Sequence, residues 1–90
     1  MGKAFDKDPD ARLDYSADWS DWLTTDETIS TSLWIIPTGL TKESENNTGT
    51  IATVWVSGGE AGQSYRITNK IQTSAGREDK RTITLYCKNR

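Results

Sequence analysis

The stretch Gln63-Ser64-Tyr65-Arg66-Ile67-Thr68-Asn69-Lys70-Ile71-Gln72-Thr73 decides the fold class of this chain of 90 residues. Tyr65, Ile67 and Ile71 are two and four residues apart, and polar or charged residues occupy the positions between them. Successive side chains of a β-strand point to opposite faces of a sheet, so a period of two indicates a strand with one buried face. The sequence therefore predicts a long strand over residues 63–73.

The same period recurs in four other stretches, and turns rich in glycine, proline and asparagine separate them. The stretches cover residues 11–15, 29–36, 50–57 and 80–88, with a weaker candidate at 40–42 and a polar turn at 45–49. In the second stretch, the alternation puts Ile29, Leu33 and Ile35 on the face opposite Trp34. Strands at this spacing predict an all-β sandwich or barrel. Trp19, Trp22 and Leu23 are spaced by three to four residues, which allows one short helical turn there.

Three aromatic residues on strand candidates have structural interpretations. Tyr65 opens the long strand directly after the glycine-bearing segment 58–62. This arrangement predicts a tyrosine corner, in which the hydroxyl bonds to backbone upstream. The glycines do not match a phosphate-binding loop, which needs Gly-Lys-Ser/Thr leading into a helix. We expect at least one of Trp34 and Trp55 to lie in the core, because sandwiches commonly bury a tryptophan between their sheets.

The composition indicates one small folded domain. Hydrophobic residues make up 33% of the chain, the net charge is −2, and four Trp and three Tyr add apolar area. A core of this size is marginal, so we expect association with a partner or with further copies to support it. No apolar run is long enough to cross a membrane, so no membrane partner is expected. We predict an extended N-terminal arm over residues 1–10 and a single domain over 11–90.

The residue types argue against catalysis. The chain has no histidine and a single cysteine, Cys87, so it lacks the commonest general base and predicts no internal disulfide. Asp6, Asp8 and Asp10 have the spacing that opens a calcium loop, but Ala11 and Ala17 replace the glycine and glutamate that such a loop needs. We therefore predict no enzyme activity, no catalytic residue, no metal site and no cofactor.

Charge is distributed unevenly along the chain. Residues 1–27 hold eight acids and three bases, whereas residues 61–90 hold two acids and seven bases. Two interpretations stay open at this stage. The charges of the two segments neutralise one another within one molecule, or they promote head-to-tail packing of copies or binding of a charged partner.

The segment Asp14-Tyr15-Ser16-Ala17-Asp18-Trp19-Ser20-Asp21-Trp22-Leu23 is the most unusual one in the chain. Aromatic residues flanked by polar groups are typical of protein interfaces, and they are equally needed in a small core. We expect one tryptophan of this segment to anchor the core and the other to lie near a contact surface. The acidic residues make nucleic acid an unfavourable partner.

Two resemblances sharpen the hypothesis. Residues 63–76 resemble the F strand and FG turn of immunoglobulin-like and fibronectin type III domains, which implies an all-β sandwich of about seven antiparallel strands without a disulfide. Residues 5–86 resemble a family of small tailed-phage and prophage proteins described as fibre–tail adaptors. The segments that carry this resemblance are residues 7–10, 13–23, 26–29, 54–62 and 71–77, with the distinctive elements DYS-DWSDWL and SGGxAG.

The family resemblance implies a structural, non-enzymatic virion component, made in the cytoplasm of the bacterial host. Its expected partners are other phage tail proteins, namely the tail fibre and the tail tube or nozzle, and a homo-oligomeric ring of copies. The residues predicted to form the partner interface lie in the leading third of the chain: Phe5, Asp8, Pro9, Asp18, Trp19, Asp21 and Trp22. The alternative function is an Ig-like adhesion module that decorates the virion or binds glycans of the host surface through exposed aromatic residues.

Overall fold

The computed structural model describes the backbone of residues 3–7 and 11–87 and the side chains of 7 and 11–87. This part of the chain forms seven β-strands and contains no helix. The strands are β1 (Lys3–Lys7), β2 (Leu13–Asp18), β3 (Ile29–Ile35), β4 (Leu40–Asn47), β5 (Ile51–Gly58), β6 (Ser64–Thr73) and β7 (Glu78–Cys87).

The strands form two sheets that pack into a sandwich. One sheet has the order β1-β7-β6-β3 and the other has the order β2-β5-β4. The order β2-β5-β4 opposite β7-β6-β3 is that of an immunoglobulin-like domain, so the predicted fold class is confirmed. All pairs are antiparallel except β1 and β7, which run parallel. Cys87, the single cysteine of the chain, is buried and free.

The core lies between the sheets and takes alternate residues from most strands. The pattern predicted for residues 63–73 is confirmed, because Ile67, Asn69, Ile71 and Thr73 of β6 all point inward and are buried. The other large side chains in the core come from both sheets and from one loop: Tyr15, Trp19, Ile29, Trp34, Leu40, Val54, Val56, Ile83 and Leu85. Trp34 is 1% exposed, which confirms that a strand tryptophan lies in the core.

Tyr65 forms the predicted tyrosine corner. Its hydroxyl oxygen accepts a hydrogen bond of 3.0 Å from the backbone N–H of Glu60, five residues upstream. The ring also lies against Gly39, where a Cβ would come within 2.7 Å of the ring. The contact therefore requires glycine at this position and joins two turns at the same end of the sandwich.

The faces predicted for the second stretch are wrong in part. Ile29 and Trp34 are both buried, whereas Leu33 and Ile35 are exposed. The reason is a register shift between Ile29 and Thr31, where β3 bulges against β6 and its alternation changes phase. The weak candidate at 40–42 is in fact an eight-residue strand, β4, so the polar turn predicted at 45–49 begins only after Asn47.

Residues 3–7 pair with β7 as an edge strand of the larger sheet. Lys7 is fully buried, and its Nζ donates a hydrogen bond of 2.6 Å to the carbonyl oxygen of Gly58. The division of the chain into an arm over 1–10 and a domain over 11–90 stays a prediction.

Candidate functional site

Three connections meet at one end of the sandwich, which we call the loop end: residues 19–28, 48–50 and 74–77. Backbone hydrogen bonds join them, from Trp19 N–H to Thr50 O (2.8 Å), from Ile29 N–H to Gly49 O (2.9 Å) and from Ser74 N–H to Thr28 O (2.8 Å). The turn that begins at Trp19 carries bonds from the N–H groups of Trp22 and Leu23 to the Trp19 carbonyl. The longest connection is therefore fixed at both its ends.

Two tryptophans and two arginines stack against one another at the loop end. The rings of Trp19 and Trp22 meet edge to face, with their centroids 5.4 Å apart. The guanidinium of Arg81 lies 4.1 Å from the centroid of Trp19, and that of Arg77 lies 4.1 Å from the centroid of Trp22. We call these four residues the Arg–Trp stack. Each cation–π contact at this distance is favourable, and the two together hold both rings in fixed orientations.

Trp19 anchors the stack in the core. It is fully buried, and its indole N–H donates a hydrogen bond of 2.9 Å to the side-chain oxygen of Asn69, which is buried on β6. The amide of Asn69 in turn donates to the hydroxyl of Ser32 (2.9 Å) and the carbonyl of Leu33 (3.2 Å) on β3. A buried amide whose partners are all present specifies one packing arrangement, so this network fixes how the tryptophan sits on the sheet.

Glu27 connects the 19–28 loop to the β6–β7 hairpin. Its carboxylate accepts hydrogen bonds from the Arg77 guanidinium (Nε to Oε2, 2.9 Å) and from the Thr73 hydroxyl (2.6 Å). It also accepts the backbone N–H and the hydroxyl of Thr24, each at 3.0 Å. The hydrogen bond from Arg77 is the main reason that the pKa of the Glu27 carboxyl lies well below its usual range. The bonds from Thr24 and Thr73 lower this pKa further, whereas burial raises it.

The structure brings only some of the predicted interface residues to the loop end. Asp18 and Asp21 are exposed, Trp22 is half-buried, and Trp19 is fully buried, so Trp19 acts on this surface only through the residues that it positions. The predicted residues Asp8 and Pro9 and the side chain of Phe5 lie outside the described residues.

Sequence reasoning missed three residues of the loop end, namely Glu27, Arg77 and Arg81. The uneven charge distribution was the one signal that pointed to them, because Glu27 belongs to the acidic leading segment and both arginines belong to the basic trailing segment. Arg77 pairs with Glu27, and Arg81 donates a hydrogen bond of 2.6 Å to the backbone carbonyl of Asp18. Part of the opposite charge is therefore paired within the molecule.

Among the side chains that the structure describes, those of residues 7 and 11–87, no three of His, Cys, Asp or Glu form a group that could hold a metal ion. Within the same residues, no helix has the length and apolar character needed to cross a membrane.

A family model matches nearly the whole chain. The model described as podophage GP4 fiber-tail adaptor protein gp77 matches residues 7–86. The chain belongs to this family. As a member of the fibre–tail adaptor family, it is a structural component of a phage tail and hence of the virion.

Comparison with solved structures supports the fold. The chain is similar to the solution structure of the PKD domain from KIAA 1837 protein, with a TM-score of 0.56 and 21% sequence identity. The match covers 98% of this chain and 80% of that chain. At this identity the likeness concerns the sandwich fold alone. Comparison with curated protein sequences gave no significant match.

Proposed function

We propose that this protein is a non-enzymatic connector that joins a tail fibre to the tail tube or nozzle of a podophage virion. The observation that carries the proposal is the match of the fibre–tail adaptor family to residues 7–86. A connector works by presenting fixed surfaces to two partners, and a sandwich with rigid loops at its ends is suited to that task. Its copies associate in a closed symmetric assembly, as most homo-oligomers do.

We assign one partner contact to the loop end, with Asp18, Asp21 and Trp22 as its main residues. Tryptophan at a surface supplies much apolar contact area and is enriched among the residues that dominate binding energy. Trp22 is already held by Arg77 and by its edge-to-face contact with Trp19, so little side-chain freedom is lost when a partner docks. The exposed carboxylates beside it favour a partner surface with basic groups.

The second contact is assigned to the leading segment, through Phe5, Asp8 and Pro9. Lys7 lies beside Gly58 and Cys87, at the end of the sandwich opposite to the loop end. A contact that begins there is well separated from Trp22, so two partners bind without competing for one surface.

Co-purification tests the function. The adaptor is expressed with the fibre protein and, separately, with the tail tube and nozzle proteins of its own phage, and complexes are isolated by size exclusion with light scattering. We expect stable complexes with the fibre and with a tail protein. Absence of a complex with the fibre protein, or absence of a complex with the tail proteins, would contradict the connector role.

A matched pair of variants tests the loop end. Trp22→Ala removes the proposed contact residue, whereas Trp55→Ala removes another half-buried tryptophan that lies under an arginine, with Arg12 at 4.8 Å. We expect only Trp22→Ala to weaken binding of one partner, by at least about tenfold if the residue dominates the contact. Circular dichroism and unfolding curves establish that both variants are folded. Equal weakening by both would contradict the assignment.

The structure gives less support to glycan adhesion through this tryptophan. One face of the Trp22 ring is covered by Arg77, and the Trp19 ring packs against it edge to face, so the ring is not an open platform for a sugar. A glycan array discriminates the two functions: binding to an array without any complex with tail proteins would favour the adhesion module.

A further inference from the structure

The outer faces of the two sheets carry opposite charge. The face of the four-stranded sheet, which we call the basic face, presents three bases and one acid: Arg66, Lys70, Lys80 and Glu78. The face of the three-stranded sheet, which we call the acidic face, presents three acids and one base: Asp14, Asp18, Glu43 and Arg12. Among the described side chains, the net charges of the two faces are therefore +2 and −2. Lys42 and Glu45 pair with each other beside Trp34, at the side of the sandwich, and belong to neither face.

The basic face has cations without acidic partners. Lys70 and Lys80 stand directly opposite each other on β6 and β7, and like charges at such positions destabilise a sheet. Within the part of the chain that the structure describes, neither lysine nor Arg66 takes part in an ion pair. An acidic surface laid on this face would relieve the repulsion between the two lysines.

Apolar side chains accompany these cations. Leu33 lies in one cross-strand row with Lys70 and Lys80, and Ile35 lies in the next row. Leu33 is 48% exposed, Ile35 is 52% exposed and Tyr86, on the same face, is 44% exposed. Exposed apolar side chains that are grouped on one face are typical of a protein interaction site.

The acidic face has a carboxylate ready for a cation. Asp14 is exposed and stands opposite Trp55, which is half-buried. Glu43 is already contacted by the Arg12 guanidinium (3.8 Å) and by the Ser57 hydroxyl (2.6 Å). These contacts lie within the face, so a partner placed on it adds cations without breaking them.

We propose that the basic face of one copy of this chain packs on the acidic face of the next copy, with Lys70 and Lys80 opposite Asp14 and Glu43. Facing sheets lie about 10 Å apart, a distance that a lysine and an acidic side chain together span. Contacts between two different faces join copies head to tail, and they form a ring where the rotation closes. This inference rests on the proposed function, since it names the surfaces through which copies of the connector associate.

Charge selects this arrangement of copies. A two-fold contact would bring one face against itself, so two basic faces or two acidic faces would oppose like charges. Only the head-to-tail contact sets a face of net charge +2 against a face of net charge −2. The same pairing compensates the charged groups for the water that they lose.

Association of the wild-type chain alone is the first test. Light scattering and sedimentation velocity from low micromolar to millimolar concentration are expected to show species larger than the monomer. Raising the salt from about 0.1 M to about 1 M shortens the Debye length from about 10 Å to about 3 Å and is expected to weaken this association. A chain that stays monomeric throughout at low salt would overturn the proposal.

Two variants separate the faces. Lys70→Glu damages the basic face, and it places opposite charges across from Lys80, so its fold is expected to be at least as stable as that of wild type. Asp14→Lys damages the acidic face. Each variant alone is expected to associate at least about tenfold more weakly than wild type. An equal mixture is expected to restore association, because the intact acidic face of one variant meets the intact basic face of the other.

The control is Glu60→Lys, which changes the net charge as Asp14→Lys does but lies in the turn between β5 and β6. It is expected to associate like wild type, and Asp14→Asn is expected to show a smaller loss than Asp14→Lys. Circular dichroism establishes that each variant is folded. Wild-type association of Asp14→Lys alone, or a mixture of folded variants that stays monomeric, would rule out the proposed contact. No fibre or tail protein enters these measurements, so a negative result here is distinct from failure of the connector role in co-purification.

Discussion

Glu27 shows how a single side chain couples a loop to the sandwich. Its side chain is only 2% exposed. Both oxygens of its carboxylate accept hydrogen bonds, and the donors belong to the loop or to the β6–β7 hairpin. A buried carboxylate without such donors would favour its neutral form. Here the donors reverse that tendency, so the ionised form of Glu27 holds the loop in place and, with it, Trp22.

The first prediction concerns acid stability. Glu27→Gln removes the charge and leaves Arg77 without its partner, so the free energy of unfolding falls at neutral pH. Because the folded-state pKa of Glu27 lies below its ordinary value of 4.5, the stabilisation by the ionised group is present above that pH and is lost as the pH falls below it. Urea unfolding followed by tryptophan fluorescence measures the difference between wild type and variant at a series of pH values.

That difference is expected to shrink steadily as the solution is acidified. Glu78→Gln, which removes an exposed carboxylate from the same hairpin, is the control and is expected to change stability little at any pH. A gap between wild type and Glu27→Gln that does not vary with pH would show that the ionised carboxylate is not what stabilises the loop.

The second prediction concerns the tyrosine corner. Tyr65→Phe removes the oxygen that accepts the Glu60 N–H and leaves the ring against Gly39 in place. The expected loss is about 1 kcal/mol in the free energy of unfolding, typical of one hydrogen bond. Chemical denaturation measures it, and Tyr86→Phe, at an exposed tyrosine, is expected to be neutral. Equal effects of the two substitutions would contradict a role for the hydroxyl.

At the scale of elements, the strands differ in how well the sequence predicts them. Strand β6 has paired neighbours on both sides and one buried face, so its alternation is complete and readable. Strand β4 is a polar edge strand in which only Leu40 is buried, so its sequence carries almost no alternation. The bulge in β3 is a tertiary adjustment to β6, and the period of two gives no sign of it.

The connection between β5 and β6 gives the third prediction, on a matched pair of glycines. Gly59 and Gly62 both have left-handed φ angles, of 100° and 87°. A Cβ at Gly59 would come within 2.5 Å of the Cys87 sulfur, whereas a Cβ at Gly62 would meet nothing within 4 Å. Gly62→Ala is therefore expected to lose about 1–2 kcal/mol for backbone strain alone. Gly59→Ala is expected to lose about 1–3 kcal/mol more through overpacking.

Thermal or urea unfolding of both variants measures the two losses. The difference between them isolates the contact with Cys87, because the backbone conformation is shared. Identical losses would mean that the turn moves away from Cys87 at little cost.

At the scale of the whole molecule, the topology determines which residues of the site can be predicted from the sequence. The aromatic and acidic segment is continuous in the chain, so it could be singled out from residues alone. Arg77 and Arg81 lie more than fifty residues further on, and only the pairing of β6 with β7 beside the 19–28 loop brings them to the two tryptophans. Contacts of this kind depend on the fold, and a single sequence gives no distance between them.

The molecule is 43 Å long in its longest dimension, and the turns at 36–39 and 58–63 lie at the end of the sandwich opposite to the loop end. A connector that uses both ends binds its two partners independently. We therefore expect Trp22→Ala at the loop end to weaken one partner and leave the other unchanged. Glu60→Arg reverses a charge at an exposed residue of the opposite end. This variant is expected to weaken binding of the other partner and leave the first unchanged, or to affect neither. Calorimetric titration of each variant with the fibre and tail proteins, singly and then in sequence, measures this. Loss of both partners in a folded Trp22→Ala variant would mean that the two contacts overlap at the loop end.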